Sequence, residues 1–183
     1  MIGRVTDGEI AYLTPEARAR VEIDAKLASA GWAVQHAGKV NLAASRGVAV
    51  REFVLADPYG RVDYLLFVDG QPVGVIEAKK AGSTLTGVEW QTKKYLEGVP
   101  ESIAMPIEPL PFAYQSTGVE TRFTNALDPD AASREVFWLH RPETLAGWVE
   151  DYFRRPTSRA CGRRRTSPSA TSSARSPRTG RAR

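Results

Sequence analysis

Residues 60–80, GRVDYLLFVDGQPVGVIEAKK, contain two apolar runs joined by Asp69-Gly70. The runs 62–68 (VDYLLFV) and 72–78 (PVGVIEA) are rich in β-branched and aromatic residues, and Asp-Gly between such runs is hairpin-turn chemistry. Just upstream, 48–55 (VAVREFVL) reads as a further strand, with turn residues Asp57-Pro58-Tyr59-Gly60 between. The expected unit is a three-stranded meander.

Its charged residues are oddly placed. Asp63 begins one strand, and Glu77 and Lys79 end the next. Alternation puts Glu77 and Lys79 on one face, together with Val73 and Val75. Glu77 therefore stands where an apolar face turns abruptly to charge, and a buried carboxylate needs a partner. Mg²⁺ suits the pattern, because it takes one or two carboxylates and keeps waters elsewhere. Asp63 and Glu77 would hold it against a scissile phosphate. Lys79 would orient the attacking water or offset charge on the phosphorane. The plainer alternative is a solvated Glu77–Lys79 pair worth about 0–1 kcal/mol. Register offers a check. A three-residue loop puts Asp63 and Glu77 on one face, whereas a two-residue turn at Asp69-Gly70 puts them on opposite faces unless a bulge intervenes.

Helices flank the meander. Thr14-Pro15-Glu16 is a helix start, with a capping hydroxyl, Pro in the first turn and an early acid. Val21, Ile23, Ala25, Leu27 and Ala28 supply its apolar face, and Gly31 stops it. Residues 87–97 read as a second helix, with Val88, Gln91, Tyr95 and Leu96 near one face. Short strands are expected at Phe112–Gln115, Thr121–Thr124 and Val136–Leu139. A last helix runs from Pro142 to Phe153, with Leu145, Trp148, Val149 and Tyr152 inward. This order predicts an α/β fold with a mixed sheet. The Trp residues read as core, with Trp90 as the exception, near the proposed site. His140, in a strand-to-helix link, reads as structural, and Lys80 as solvated.

The chain has 183 residues and a formal net charge of +4. That charge comes from one end. Residues 154–183 hold ten Arg and no acid, which leaves 15 basic residues against 21 acidic ones in 1–153, a net −6. The pI therefore says little about a nucleic-acid surface on the body. The 154–183 segment lacks Leu, Ile, Val, Phe, Tyr, Trp and Met, so disorder is expected there. Two domains of organisation follow: a folded unit over 1–153 and a basic tail over 154–183. The tail is either a nucleic-acid-binding arm or the product of a shifted reading frame. Protein-like coding in another frame downstream of codon 153 would favour the second. No apolar run approaches the ~20 residues of a membrane span, and no signal peptide opens the chain. The single Cys161 excludes an intramolecular disulfide framework, and a cytoplasmic location is expected.

Gly60–Lys80, together with Gly87-Val88-Glu89-Trp90-Gln91-Thr92-Lys93-Lys94-Tyr95, resembles the N-terminal nuclease domain of the type I restriction enzyme R subunit, a PD-(D/E)xK nuclease. The similarity runs from about Thr14 to Phe153. Asp63 matches the acid before the second core strand. Glu77-Ala78-Lys79 matches the ExK element, and Gln91 with Tyr95 matches the QxxxY motif of the following helix. Glu22 is most similar to the early-helix acid, with Asp24 close by.

The resemblance implies a restriction-endonuclease-like mixed sheet flanked by helices and an Mg²⁺-dependent DNA endonuclease. Asp63, Glu77 and Glu22 would bind metal, Lys79 would assist the water, and Gln91 and Tyr95 would place the substrate. Double-stranded DNA and the specificity and methyltransferase subunits are the implied partners. ATP is implied only for the motor domains of R subunits, since no GxxxxGK[ST] loop occurs here. An isolated nuclease domain or a truncated remnant is therefore expected. Two alternatives remain open: a catalytically silent DNA-binding or assembly module, and an inactive fragment.

Overall fold

The computed structural model describes residues 13–85 and 95–155. The helix expected over 87–97 lies mostly outside this range. So do Trp90, Gln91 and nearly all of the basic segment.

The first helix, α1 (Pro15–Ser29), starts as its sequence predicts. The Thr14 Oγ1 accepts from the Ala17 N–H at 3.2 Å, and Pro15 stands in the first turn. Its buried stripe is narrower than expected: Ala19, Ile23 and Leu27 are buried, while Ala25 and Ala28 are exposed. Four-residue spacing gives one contact ridge, and the two alanines fall off it. The chain turns at Gly31, whose φ is +90°.

Strand β1 (Ala33–His36) follows, then a 3₁₀ turn at Ala37–Lys39. Strands β2 (Gly47–Val54), β3 (Arg61–Val68) and β4 (Gln71–Ala78) form the meander. Strands β5 (Phe112–Ser116), β6 (Thr121–Asn125) and β7 (Arg134–Glu135) complete the sheet, and α2 (Pro142–Arg154) closes the described chain. The strands lie in chain order from β1 to β7. Pairs β1–β2 and β4–β5 are parallel and the rest antiparallel, so the sheet is mixed and the fold is α/β.

Two differences from the sequence reading stand out. Residues 136–139 form no strand, and the pairing to β6 comes from Arg134 and Glu135 instead. Phe137 and Trp138 are 83% and 71% exposed, while Leu139 and, in part, Val136 pack into the core under the helices, so the run reaches the core through its ends without joining the ladder. Trp138 is thus not core, whereas Trp32 is buried.

Helices α1 and α2 cover one face of the sheet. Ile23 and Leu27 meet Tyr64, Ile76, Phe112, Tyr114 and Phe123 there, together with Leu145 of α2. The segment 95–110 covers the other face, where Leu96, Val99 and Leu110 pack on Val50, Leu65, Phe67 and Val75. Strands β3 and β4 are buried on both sides. This is why their sequences read as near-continuous apolar runs rather than as alternation.

The face of β4 is not uniform. Val75 joins the core under 95–110, but Val73 joins the one under the helices. A bulge is the cause, and it bears directly on the charged residues.

Candidate active site

The β3–β4 hairpin turns through Asp69 and Gly70, both at positive φ (+49° and +77°). Positive φ at both central residues is the signature of a two-residue hairpin turn whose twist matches its strands. Next to the turn, Val68 pairs with Gln71 and Phe67 with Pro72. Then the register shifts: Leu66 pairs with Gly74, Leu65 with Val75 and Tyr64 with Ile76. Val73 is the extra residue. One further step along the shifted register sets Asp63 across from Glu77, on the same face. Without the bulge the two acids would face opposite ways.

The two carboxylates are held differently. Asp63 Oδ1 accepts from Arg20 Nε at 3.0 Å and Arg20 Nη2 at 2.7 Å, and its Oδ2 accepts from the Ala78 N–H at 2.8 Å. Glu77 Oε1 accepts from Lys79 Nζ at 2.9 Å. Glu77 is 8% exposed, so the pair is not the solvated one its spacing allows. Burial pushes the Glu77 carboxyl above the ordinary carboxylate range. The hydrogen bond from Lys79 opposes this, and the charge of Asp63 adds to it.

Other residues converge here. Gln115 of β5 sits beside Glu77 in the parallel register and is buried. Tyr95 is within electrostatic reach of Glu77, Lys79 and Asp63. Its phenol is raised first by burial and then by the charge of Glu77. The structure thus brings Asp63, Glu77, Lys79 and Tyr95 together, while Gln91 lies outside the described residues.

Glu22 does not join them. Its Cβ lies against the β5–β6 turn, where a Cβ added to Gly118 would stand 2.8 Å away. Among the described residues no three of Asp, Glu, His and Cys gather as a metal site. The physical reason is helical phase: two residues past Arg20, a side chain points away from the sheet end that Arg20 reaches. Asp24, one turn beyond Arg20, does face the sheet. It accepts from Tyr64 Oη at 2.9 Å and from Arg51 Nε at 3.0 Å, which makes it a structural tie.

Arg20 is the residue that sequence reasoning missed. Burial lowers its pKa, but the hydrogen bond and charge of Asp63, with the charge of Glu52, outweigh this and raise it overall. An arginine on an amphipathic helix reads as solvent-facing, and its only sequence signal was a four-residue step to Asp24. His140 is structural, as read. It packs among Tyr114, Phe123 and Trp148, its Nδ1 shares a 2.7 Å hydrogen bond with Tyr114 Oη, and its carbonyl accepts from Trp32 Nε1.

The donor set can be tested against a divalent ion. Two hard carboxylates face one another, and Glu77 is desolvated and pushed toward its neutral form by the charge of Asp63. A cation would relieve both effects, so Asp63 and Glu77 fit Mg²⁺ as a two-carboxylate site.

The family model for the second domain of the type I restriction enzyme EcoKI endonuclease subunit matches residues 16–120, more than half of the chain. Among solved structures, a fragment assigned to the HsdR subunit of a type I restriction enzyme from Vibrio vulnificus YJ016 is similar in fold. Its TM-score is 0.57 at 22% identity, over 76% of this chain and 26% of that one. The chain thus spans about a quarter of the length of that relative. No curated protein matches by sequence.

Proposed function

For a chain that belongs to the family of the type I restriction enzyme EcoKI endonuclease subunit second domain, we propose that Asp63, Glu77 and Lys79 form an Mg²⁺-dependent nuclease centre acting on double-stranded DNA. The observation that carries this reading is the bulged register at Val73, which turns both acids to one face beside a lysine already hydrogen-bonded to Glu77.

Asp63 and Glu77 would hold the ion. Bound Mg²⁺ supplies polarisation of a phosphoryl oxygen and a lowered pKa for a water. The chain supplies the rest. Burial and the charge of Asp63 raise the Glu77 pKa against the Lys79 hydrogen bond, and a bound cation would favour its ionised form. Lys79 Nζ, which donates to Glu77, would orient a water or meet charge developing on the phosphorane. Tyr95, with Gln91 on the same expected helix, would place the DNA strand. The acidic body suggests that much of the phosphate grip lies elsewhere. In a type I complex, specificity and methyltransferase subunits would supply recognition, and ATP would serve only motor domains. Among the described residues no helix is long and apolar enough to cross a membrane, which is compatible with a DNA-facing role in the cytoplasm.

The test is cleavage of duplex DNA by the full chain with Mg²⁺, alone and with candidate specificity and methyltransferase subunits. Glu77→Gln and Lys79→Met are each expected to lower the rate by about 100-fold or more. Equal cleavage by these variants and the wild type would sink the assignment.

One observation favours a second reading. Arg20 already occupies Asp63 through two nitrogens. A silent DNA-binding or assembly module would keep such a pair permanently. In that case Glu77→Ala would bind DNA as the wild type does, and neither protein would cut it.

A further inference from the structure

We propose that Arg20 is an exchangeable latch: it holds Asp63 while no ion is bound and moves to Glu52 when a divalent ion arrives. This rests on the nuclease reading above and concerns how that site admits its ion.

The argument begins with lone pairs. A carboxylate oxygen accepts about two hydrogen bonds. Asp63 Oδ1 already takes both Arg20 Nε and Arg20 Nη2, and Oδ2 takes the Ala78 N–H. Asp63 therefore keeps little acceptor capacity for an ion. A guanidinium beside the ion would also repel it. Asp63 can serve a cation well only if Arg20 withdraws.

A second seat is built next to the first. Arg20 Nη1 lies 3.7 Å from Glu52 Oε1. Glu52 sits between Arg51 and Phe53, which pair with Tyr64 and Val62, so it lies across the β2–β3 ladder from Asp63. Its backbone is left-handed (φ +52°), which is uncommon for a residue with a side chain. Such conformations persist only where the surroundings enforce them, and they gather at functional sites.

Mobility is available too. The Arg20 side chain is 41% exposed and that of Asp63 only 13%. Meanwhile α1 is anchored by buried Ala19 and Ile23 on either side of Arg20. A swing of the guanidinium from Asp63 to Glu52 needs no movement of the helix.

The experiment titrates Mn²⁺ into the full chain and reads free Mn²⁺ by electron paramagnetic resonance. Wild type, Arg20→Gln, Glu52→Gln and the double variant are compared, with thermal melts to check folding. Removing the latch is expected to tighten Mn²⁺ binding by about fivefold or more. Removing its second seat is expected to weaken binding by about threefold, but by less than about twofold once Arg20 is already Gln. If Arg20→Gln does not fold, Arg20→Lys keeps the charge but loses the two-nitrogen grip, and it should still tighten binding. Wild-type binding with no tightening in the Arg20 variants overturns the latch and leaves the nuclease reading intact. No Mn²⁺ binding by any of the proteins, with or without a short DNA duplex, overturns both.

Discussion

Lys79 donates to Glu77 at 2.9 Å from two residues further along the same strand end. The lysine only partly offsets the cost of burying that carboxyl, whose pKa stays above its ordinary value of 4.5. The folded state therefore binds a proton more readily than the unfolded chain. In the window from 4.5 up to the raised value, stability falls as pH rises. Chemical denaturation at a series of pH values should show this fall in the wild type. Glu77→Gln, which cannot ionise, should flatten it. A slope identical in both proteins would remove Glu77 as its source.

Gly74 lets β4 approach β5 closely. A Cβ there would stand 2.4 Å from the Phe112 carbonyl oxygen. Backbone of a neighbouring strand cannot step aside cheaply, so Gly74→Ala should destabilise the chain by about 1–3 kcal/mol, measured in urea. An unchanged midpoint would mean that the parallel pair is looser than this geometry.

Two tryptophans make a contrast. Trp32 is buried and donates to the His140 carbonyl at 2.9 Å, while Trp138 is largely exposed. Trp32→Ala should cost about 3–5 kcal/mol. Trp138→Ala should stay within about 0.5 kcal/mol of the wild type. Comparable losses in the two melts would contradict the observed burial.

His140 offers a pH test of opposite sign. Burial, with the charge of Arg134, holds its pKa below 6.5. The unfolded chain then binds the proton more readily, so the stability it contributes is present above 6.5 and is lost as pH falls below that value. Tyr114→Phe removes the partner of Nδ1 and should cost about 1 kcal/mol at neutral pH. A pH-stability profile of His140→Gln lacking this acidic loss would support the assignment, and one retaining it in full would refute it.

Much of this architecture was legible because its signals are local. The cap at Thr14, the Asp69-Gly70 turn and the double-sided apolar runs of β3 and β4 each carry their own chemistry. The parity of the hairpin showed that Asp63 and Glu77 could meet only through a three-residue loop or a bulge, and the structure takes the bulge. Its place was harder to see; a lone Gly74 within a strand pattern was the available hint. What stayed hidden depends on distance in the chain. Arg20 finds Asp63 across 43 positions, and no spacing rule announces such a contact. Glu22 was misplaced because two residues on a helix differ by more than half a turn. β1 was missed because Ala33–His36 ends in Gln and His, polar residues that mask a short strand. The run 136–139 erred the other way, since apolar composition cannot tell a strand from a loop that tucks Val136 and Leu139 inward.

The extra residue at Val73 also gives the hairpin one unit of slack. Losing any single residue between the turn and Glu77 could be absorbed by straightening β4, and the two acids would still stand opposite each other. Gaining one has no such remedy. Small indels in this stretch should therefore be asymmetric in effect. A deletion would cost some packing yet keep the carboxylates aligned, whereas an insertion would leave the chain folded around acids that no longer meet.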